Sequence, residues 1–150
     1  MKAIVLDGFG GPENLKAETV DTPMPGSREL LVKVVANSVN PVDCKIRENG
    51  GEFGLETPLI LGFDASGVVV ETGAEVKEFE EGDNVFYTAE IFGGQGCCAE
   101  YHVVDEAIVV AKPDDIPHED AAAVPLAGGT AWQALMTRGA LRVGESVLIH

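Results

Sequence analysis

The chain has 150 residues, 45% of them hydrophobic, which is enough for one compact domain with a core of its own. Its 10 basic and 25 acidic residues give a net charge of −15, which argues against nucleic acid and anionic membranes as partners, because both would repel it. No stretch approaches the roughly 18 apolar residues of a membrane span, and the chain becomes polar at Asp7, too early for a signal peptide. These features predict a cytoplasmic protein.

Short β-rich segments recur along the chain, each followed by glycine, proline or acidic turn residues. The predicted strands are residues 2–6, 29–38, 66–72, 84–87, 98–104 and 108–111. Because no crossover helices separate these strands, the pattern predicts a mainly β, barrel-like domain.

Two regions of the sequence predict helices. Asn40 is suited to cap a helix, Pro41 to occupy its first position, and the pair Gly50-Gly51 to end it. Farther along, a helix is expected to end near Pro125, and a second helix is predicted over residues 130–138. A turn then leads to the apolar run 147–149, which is typical of the first strand of another sheet.

The chain contains three cysteines, Cys44, Cys97 and Cys98. An odd number with one adjacent pair does not make a disulfide framework and is typical of a reducing compartment. Neighbouring side chains of an extended segment point to opposite faces, so Cys97 and Cys98 are not expected to bind one metal together. A nucleophilic role for Cys44 lacks a histidine that the sequence would pair with it.

Acidic residues concentrate in two segments, 78–83 and 114–120. One interpretation is an ordinary solvated surface. The other is adaptation to a saline cytoplasm, in which dense carboxylates hold water and keep a protein dissolved. The sequence leaves both interpretations open.

Four motifs carry more information than the predicted elements. They are NPVDCKIRENGG, PLILGFDASGVVVETGAEVKEFEEGDNVF, GGQGCCAEYHVV and AAAVPLAGGTAWQAL. In this order and spacing they resemble the medium-chain dehydrogenase/reductase superfamily, specifically its zinc-free quinone and enone reductases, over nearly the whole chain. The resemblance implies a mainly β, GroES-like catalytic barrel with short helices over residues 1–128. It also implies that residues 129–150 are the first helix and strand of a Rossmann domain, truncated before the phosphate-binding loop.

The resemblance also bears on metal binding. Zinc-dependent relatives hold a catalytic ion with a cysteine and a histidine at positions that read Asn40 and Phe63 here, and neither an amide nor a phenyl ring can replace those ligands. The cysteine-rich structural zinc lobe is missing between Phe86 and Tyr101 as well. We therefore expect no zinc, with a zinc-type alcohol dehydrogenase domain as one alternative.

The implied activity is hydride transfer from NAD(P)H, with NADPH slightly favoured, to a small quinone or α,β-unsaturated carbonyl. Such acceptors spread the incoming charge, so hydrogen bonds can replace a metal. The cofactor would be bound mainly by the missing domain, so the 150 residues alone are expected to be inactive. A homo-oligomer is left open, and the other class of function is a non-catalytic binding or scaffold module, like the crystallin relatives of this fold.

Five residues are candidates for the site by their match to family positions. The predicted catalytic residues are Asn40, Asp43 and Lys45, and the predicted cofactor-contacting residues are Asn40, Lys45, Phe63 and Thr130. Asn40 could instead only cap its helix, Lys45 could be merely solvated, and Thr130 could cap the helix that follows it. Asp43 is expected to orient its neighbours rather than to transfer protons.

Overall fold

The computed structural model describes residues 1–92 and 94–149. Its eight strands are β1 (Lys2–Leu6), β2 (Leu15–Thr19), β3 (Glu29–Ser38), β4 (Leu59–Ile60), β5 (Asp64–Thr72), β6 (Asn84–Thr88), β7 (Tyr101–Asp105) and β8 (Val109–Ala111). The helices are α1 (Pro41–Asn49), α2 (His118–Ala122) and α3 (Pro125–Trp132), which continues as a π-helix over Gln133–Arg138. Short 3₁₀ turns cover Pro12–Asn14, Gly50–Phe53 and Glu106–Ile108. None of the described helices is long and apolar enough to cross a bilayer.

The strands form two antiparallel sheets, ordered β2-β1-β4 and β7-β3-β5-β6-β8. A bridge between Ala3 and Ala99 joins β1, the central strand of the small sheet, to the chain that leads into β7. The long pair of β3 and β5 at the centre of the larger sheet contains two register shifts, which bend the strands and help the sheet curve. The two sheets are therefore joined through β1 and the chain segment that precedes β7.

Apolar side chains of the larger sheet form the main core. Its buried members are Leu30, Val32, Ala65, Val69, Val85, Tyr87, Ala89, Cys97, Val104 and Val109. A second cluster lies beneath α1 and contains Leu6, Ile46, Leu61 and Phe63. β3 and β5 supply Leu30, Val32, Ala65 and Val69 to the first cluster, and the chain that leads into β5 supplies Leu61 and Phe63 to the second.

Most of the predicted strands are present with small changes in their bounds. Those at residues 2–6 and 29–38 are confirmed as β1 and β3. The strand predicted at 98–104 is shorter, because residues 98–100 form only the isolated bridge at Ala99. The sequence prediction missed β2 and β4. The side chains of β2 are almost all exposed, so it lacks the alternation that marks a half-buried strand, and β4 has only two residues.

The C-terminal region departs from two predictions. The helix predicted to start at residue 130 begins at Pro125, because proline is favourable in the first turn of a helix, where its missing N–H is not needed. The strand predicted at 147–149 does not form. Val147, Leu148 and Ile149 have no strand beside them in the described chain, and their side chains are 51%, 79% and 75% exposed. The boundary predicted at residue 128 stays a prediction, and α3 crosses it.

Candidate active site

The site is built around the first turn of α1. β3 ends at Ser38, and Asn40 adopts an extended conformation before Pro41 begins the helix. The backbone N–H of Asn40 donates to Asp43 Oδ2 at 2.7 Å, as in a capping box. The predicted capping position of Asn40 is therefore confirmed.

The other oxygen of Asp43 reaches the turn before β5. The backbone N–H of Gly62 donates to Asp43 Oδ1 at 2.9 Å, so both carboxylate oxygens hold backbone groups. Burial raises the pKa of the Asp43 carboxyl, and the hydrogen bonds from Asn40 and Gly62 oppose that rise. A carboxylate used in this way orients the backbone around it.

Gly62 is required at its position for two reasons. Its φ angle of 97° lies in the left-handed region, which side chains with a Cβ rarely adopt. A Cβ atom there would also lie 2.6 Å from Cys98 Sγ and 2.9 Å from the backbone nitrogen of Cys98. The turn can therefore approach the cysteine segment closely only because the residue is glycine.

The centre of the site is Asp64, which the sequence analysis did not single out. It is 0% exposed, and its carboxylate accepts four hydrogen bonds. Oδ2 accepts from Ser38 Oγ at 3.0 Å and from Asn40 Nδ2 at 2.9 Å. Oδ1 accepts from Thr88 Oγ1 at 3.1 Å and from the backbone N–H of Leu126 at 2.9 Å. One carboxylate thus joins the ends of β3 and β6 to the first turns of α1 and α3.

A signal for this residue exists in the sequence. Asp64 interrupts the apolar stretch LILGFDASGVVV, directly before the strand predicted at residues 66–72. A buried charge is stable only when it is paired or fully hydrogen-bonded. An acidic residue in such a stretch therefore predicts a cluster of donors around it, although not which donors.

The remaining candidates lie in different surroundings. Phe63 is buried in the cluster beneath α1, with Leu6 and Ile46 among its neighbours. Lys45 is exposed on α1, and its ammonium has no hydrogen-bond or ion-pair partner in the part of the chain that the structure describes. Thr130 is exposed within α3, where its hydroxyl donates to Leu126 O at 2.8 Å. Its alternative role as a helix cap is therefore wrong.

Among the described residues, the structure contains two cavities near the candidate residues or the strands around them. One of about 200 Å³ lies beside Phe63 and is walled by Ile46, Leu55 and Ile91. A larger one, of about 870 Å³, lies along β7, and none of the five predicted residues lines it. Size alone would favour the larger cavity, but we place the candidate site near Phe63 and Asn40, because the buried polar groups converge there.

The histidine in the wall of the larger cavity, His102, has both ring nitrogens occupied by hydrogen bonds. His102 Nε2 lies 3.0 Å from the carbonyl oxygen of Gln95, which only accepts, so this nitrogen carries the proton. Its Nδ1 must then accept from the hydroxyl of Tyr87, 3.0 Å away. Burial lowers the pKa of His102. Both ring nitrogens are thus engaged, and His102 is a structural histidine.

A serine and histidine pair occurs elsewhere but does not form a nucleophilic site. Ser66 Oγ donates to the carbonyl oxygen of Val85 at 2.9 Å and lies 2.8 Å from His118 Nδ1, while His118 Nε2 lies 3.0 Å from Asn84 Oδ1. An activated serine would instead donate its proton to the histidine. Ser66 is also completely buried, so the pair holds α2 against the larger sheet.

The thiols and acidic groups offer no clear metal site. Among residues 1–92 and 94–149, no three His, Cys, Asp or Glu side chains are placed to share a metal ion. Burial raises the pKa of Cys97 far above its ordinary value and that of Cys98 to about 11. Cys44 is exposed on α1.

Comparison with known proteins agrees with this fold. Residues 26–114 match the family described as the alcohol dehydrogenase GroES-like domain. The chain is 36% identical over 151 residues to a quinone oxidoreductase from Lama guanicoe, which covers 100% of this chain and 45% of the relative. It is 38% identical over 158 residues to an NADPH-dependent alkenal/one oxidoreductase, chloroplastic, from Arabidopsis thaliana, covering 99% of this chain and 40% of that protein.

A solved structure gives the same result. The quinone oxidoreductase from Coxiella burnetii matches with a TM-score of 0.90 and 35% identity, covering 97% of this chain and 47% of that one. The predicted mainly β, GroES-like fold is confirmed by these matches. The chain spans less than half the length of these relatives.

Proposed function

Because the chain belongs to the alcohol dehydrogenase GroES-like domain family, within the medium-chain dehydrogenase/reductase superfamily, we propose that it is the N-terminal catalytic domain of an NAD(P)H-dependent reductase of quinones or α,β-unsaturated carbonyls. The observation that carries this proposal is the match to a quinone oxidoreductase along 100% of the chain. The relatives support the general class, an oxidoreductase domain. The identity of the acceptor and of the cofactor is what we propose. When bound, the nicotinamide supplies the hydride.

Lys45 is the side chain best suited to assist the reaction. Its ammonium is exposed on the helix that Asn40 begins, and it is unpaired among the described residues of a chain whose net charge is −15. A cation placed where negative charge develops on an acceptor oxygen lowers the barrier to reduction. Thr130, exposed in α3, is proposed to contact the cofactor. Phe63 is buried beneath α1, and we propose that its ring forms the apolar floor of the cofactor site.

The residues at the family's zinc positions favour chemistry without a metal. The Asn40 amide nitrogen already donates to Asp64, and Phe63 packs in an apolar cluster. Zinc in catalytic sites is bound by thiolate, imidazole or carboxylate groups. We therefore propose that hydrogen bonds and Lys45, rather than a metal ion, stabilise the reduced acceptor.

The test compares the 150-residue chain with the same chain extended by the region that its relatives carry beyond this span. After dialysis against a chelator, the extended protein should oxidise NADH or NADPH with at least one acceptor from a panel of quinones and enones. Elemental analysis should find far less than one zinc per chain. The 150 residues alone should neither bind NAD(P)H at micromolar concentration nor turn over, because pyrophosphate affinity comes largely from a helix N-terminus in the nucleotide domain.

A charge-matched pair of variants tests the role of Lys45. Lys45→Gln in the extended protein should lower kcat about 100-fold, at the lower end of the range found when one stabilising group is lost. Lys77→Gln removes the same charge from an exposed residue outside the site and should leave kcat unchanged. Failure with the whole acceptor panel would favour the non-catalytic scaffold module. One tightly held zinc per chain would favour the zinc-type alcohol dehydrogenase.

A further inference from the structure

The orientation of the Asn40 carboxamide follows from the chemistry of its neighbours. Asp64 accepts from four donors, and an ionised carboxylate can only accept. The Asn40 atom that lies 2.9 Å from Asp64 Oδ2 must therefore be the amide nitrogen. The reverse orientation would place two oxygen acceptors in contact without a proton between them.

The second amide hydrogen is also used. Asn40 Nδ2 lies 3.3 Å from Ser38 Oγ, and the proton of that hydroxyl goes to Asp64 Oδ2 at 3.0 Å. Ser38 Oγ is therefore free to accept from the amide. Both hydrogens of the Asn40 side chain point into the protein, towards Asp64 and Ser38.

The carboxamide oxygen is the group that remains. It lies at the first turn of α1, where the backbone N–H of Asp43 donates to the backbone carbonyl oxygen of Asn40 at 3.0 Å. An amide oxygen has two acceptor positions, so it keeps the capacity for a further hydrogen bond. Asn40 is 8% exposed, so only a small part of the residue can be reached by a ligand.

We infer that Asp64 is a positioning residue, which turns the Asn40 carboxamide so that it can meet a ligand only as a hydrogen-bond acceptor. The ligand group at this point must then be a donor. The carboxamide N–H₂ of a nicotinamide fits this requirement, and the carbonyl oxygen of a quinone or enone does not. Naming the nicotinamide rests on the proposed function, whereas the orientation of Asn40 does not.

The same carboxylate couples this orientation to α3. Oδ1 of Asp64 holds the backbone N–H of Leu126, in the first turn of the helix that carries Thr130. The Asn40 side chain and the start of α3 are therefore fixed by opposite oxygens of one residue. Replacing Asp64 should therefore disturb both the Asn40 side chain and the start of α3. Removing a donor to only one carboxylate oxygen should disturb only the feature that this oxygen holds.

The first experiment measures hydrogen exchange of the Asn40 side-chain amide by NMR in the 150-residue chain. Asp64→Asn keeps the size of the residue but replaces one acceptor oxygen with a donor. We expect exchange of the Asn40 amide protons to become at least about tenfold faster, as expected when a buried hydrogen bond is lost. The backbone signals of β1 and β2 report whether the variant remains folded.

Thr88→Val is the matched control, because Thr88 donates only to Asp64 Oδ1. It should leave exchange of the Asn40 amide unchanged while altering the signal of Leu126. If the Asn40 amide protons in the unmodified chain exchange as fast as those of the exposed Asn49, the inference is wrong. It is equally wrong if those protons stay protected in Asp64→Asn.

The second experiment measures cofactor affinity in the extended protein. An acetylpyridine analogue replaces the donor N–H₂ of the nicotinamide with a methyl group. We expect it to bind about tenfold more weakly than the natural cofactor, the effect of one lost hydrogen bond. In Asp64→Asn the Asn40 amide can turn, so the difference in affinity between the natural cofactor and the analogue should become smaller.

Equal affinity of the two compounds for the unmodified protein would refute the acceptor role. Absence of any cofactor binding would refute the proposed function, and the exchange experiment would still decide the orientation.

Discussion

The barrel and the region after Pro125 use similar apolar residues with opposite results. In the barrel, Leu30 is 0% exposed and packs against strands on both sides. In α3, whose sequence PLAGGTAW is apolar all round, no residue is fully buried. A helix of that composition is typical of a protein interior. The comparison teaches that apolar sequence stabilises a fold only where a second surface covers it. The described residues supply that surface for the barrel, but in α3 they cover little beyond Leu126.

The largest expected effect is on the free energy of unfolding, measured for the same leucine-to-alanine substitution in each region. Leu30→Ala should lower the free energy of unfolding by about 2–5 kcal/mol, because it leaves a cavity in the main core. Leu148→Ala removes the same atoms from a side chain that is 79% exposed, and it should change that free energy by less than about 0.5 kcal/mol. Urea unfolding measures both. Equal losses would show that the C-terminal segment is packed in solution, for example against another copy.

The barrel was predictable from its sequence where residue pattern and environment agree. The strand at 29–38 has an apolar run long enough to mark a core strand, and it forms as β3. The strand at 147–149 has the same type of pattern but no neighbour to bond with. A strand depends on a partner as well as on its own residues, and the local sequence carries no information about whether the partner is present.

A smaller effect concerns the buried histidine of the barrel. Burial holds the pKa of His102 below its ordinary value of 6.5, so the folded state binds fewer protons than the unfolded chain between those two pKa values. The stabilisation is therefore fully present above pH 6.5 and is lost as the pH falls through the folded pKa. Protonated His102 could no longer accept from Tyr87, so the free energy of unfolding should fall as the pH drops below 6.5.

The variant His102→Gln tests the origin of that fall. It removes the titrating group while keeping a side chain that can form hydrogen bonds, at a cost of about 1–3 kcal/mol at neutral pH. Urea unfolding as a function of pH should then show a shallower slope than in the unmodified chain. His118 also has a lowered pKa, caused first by burial, so part of the slope should remain. An unchanged slope would assign the acid sensitivity to other groups.

The site was less predictable than the barrel. The sequence indicated Asn40 and Asp43, because a helix start has a local signature. It contains a signal for Asp64 but does not identify its partners, since the donors Ser38, Thr88 and Leu126 are far apart in the chain and meet only in the folded protein. The roles assigned to Lys45, Phe63 and Thr130 stay predictions.

The smallest expected effect is the response to salt, which should differ between the barrel and α3 because their charges differ. The acidic segment 78–83 belongs to the barrel, and residues 125–137 contain no charged side chain. Molar potassium chloride should raise the Tm of the barrel by about a few degrees, because salt screens repulsion between carboxylates. Hydrogen exchange within α3 should not respond. A variant with Glu80→Gln and Glu81→Gln should show a smaller rise. A Tm that stays flat or falls would leave an ordinary acidic surface and remove the saline interpretation.

The three thiols have a practical consequence for spectroscopy. Cys97 and Cys98 are held in the protonated form at neutral pH, because burial raises their pKa values, that of Cys98 to about 11. Thiolate is the form that reacts with maleimides. Cys44 is exposed on α1, beside Lys45 and one turn from Asn40. A fluorophore attached to the unmodified protein should therefore go to Cys44, where its emission would report directly on what binds at the helix.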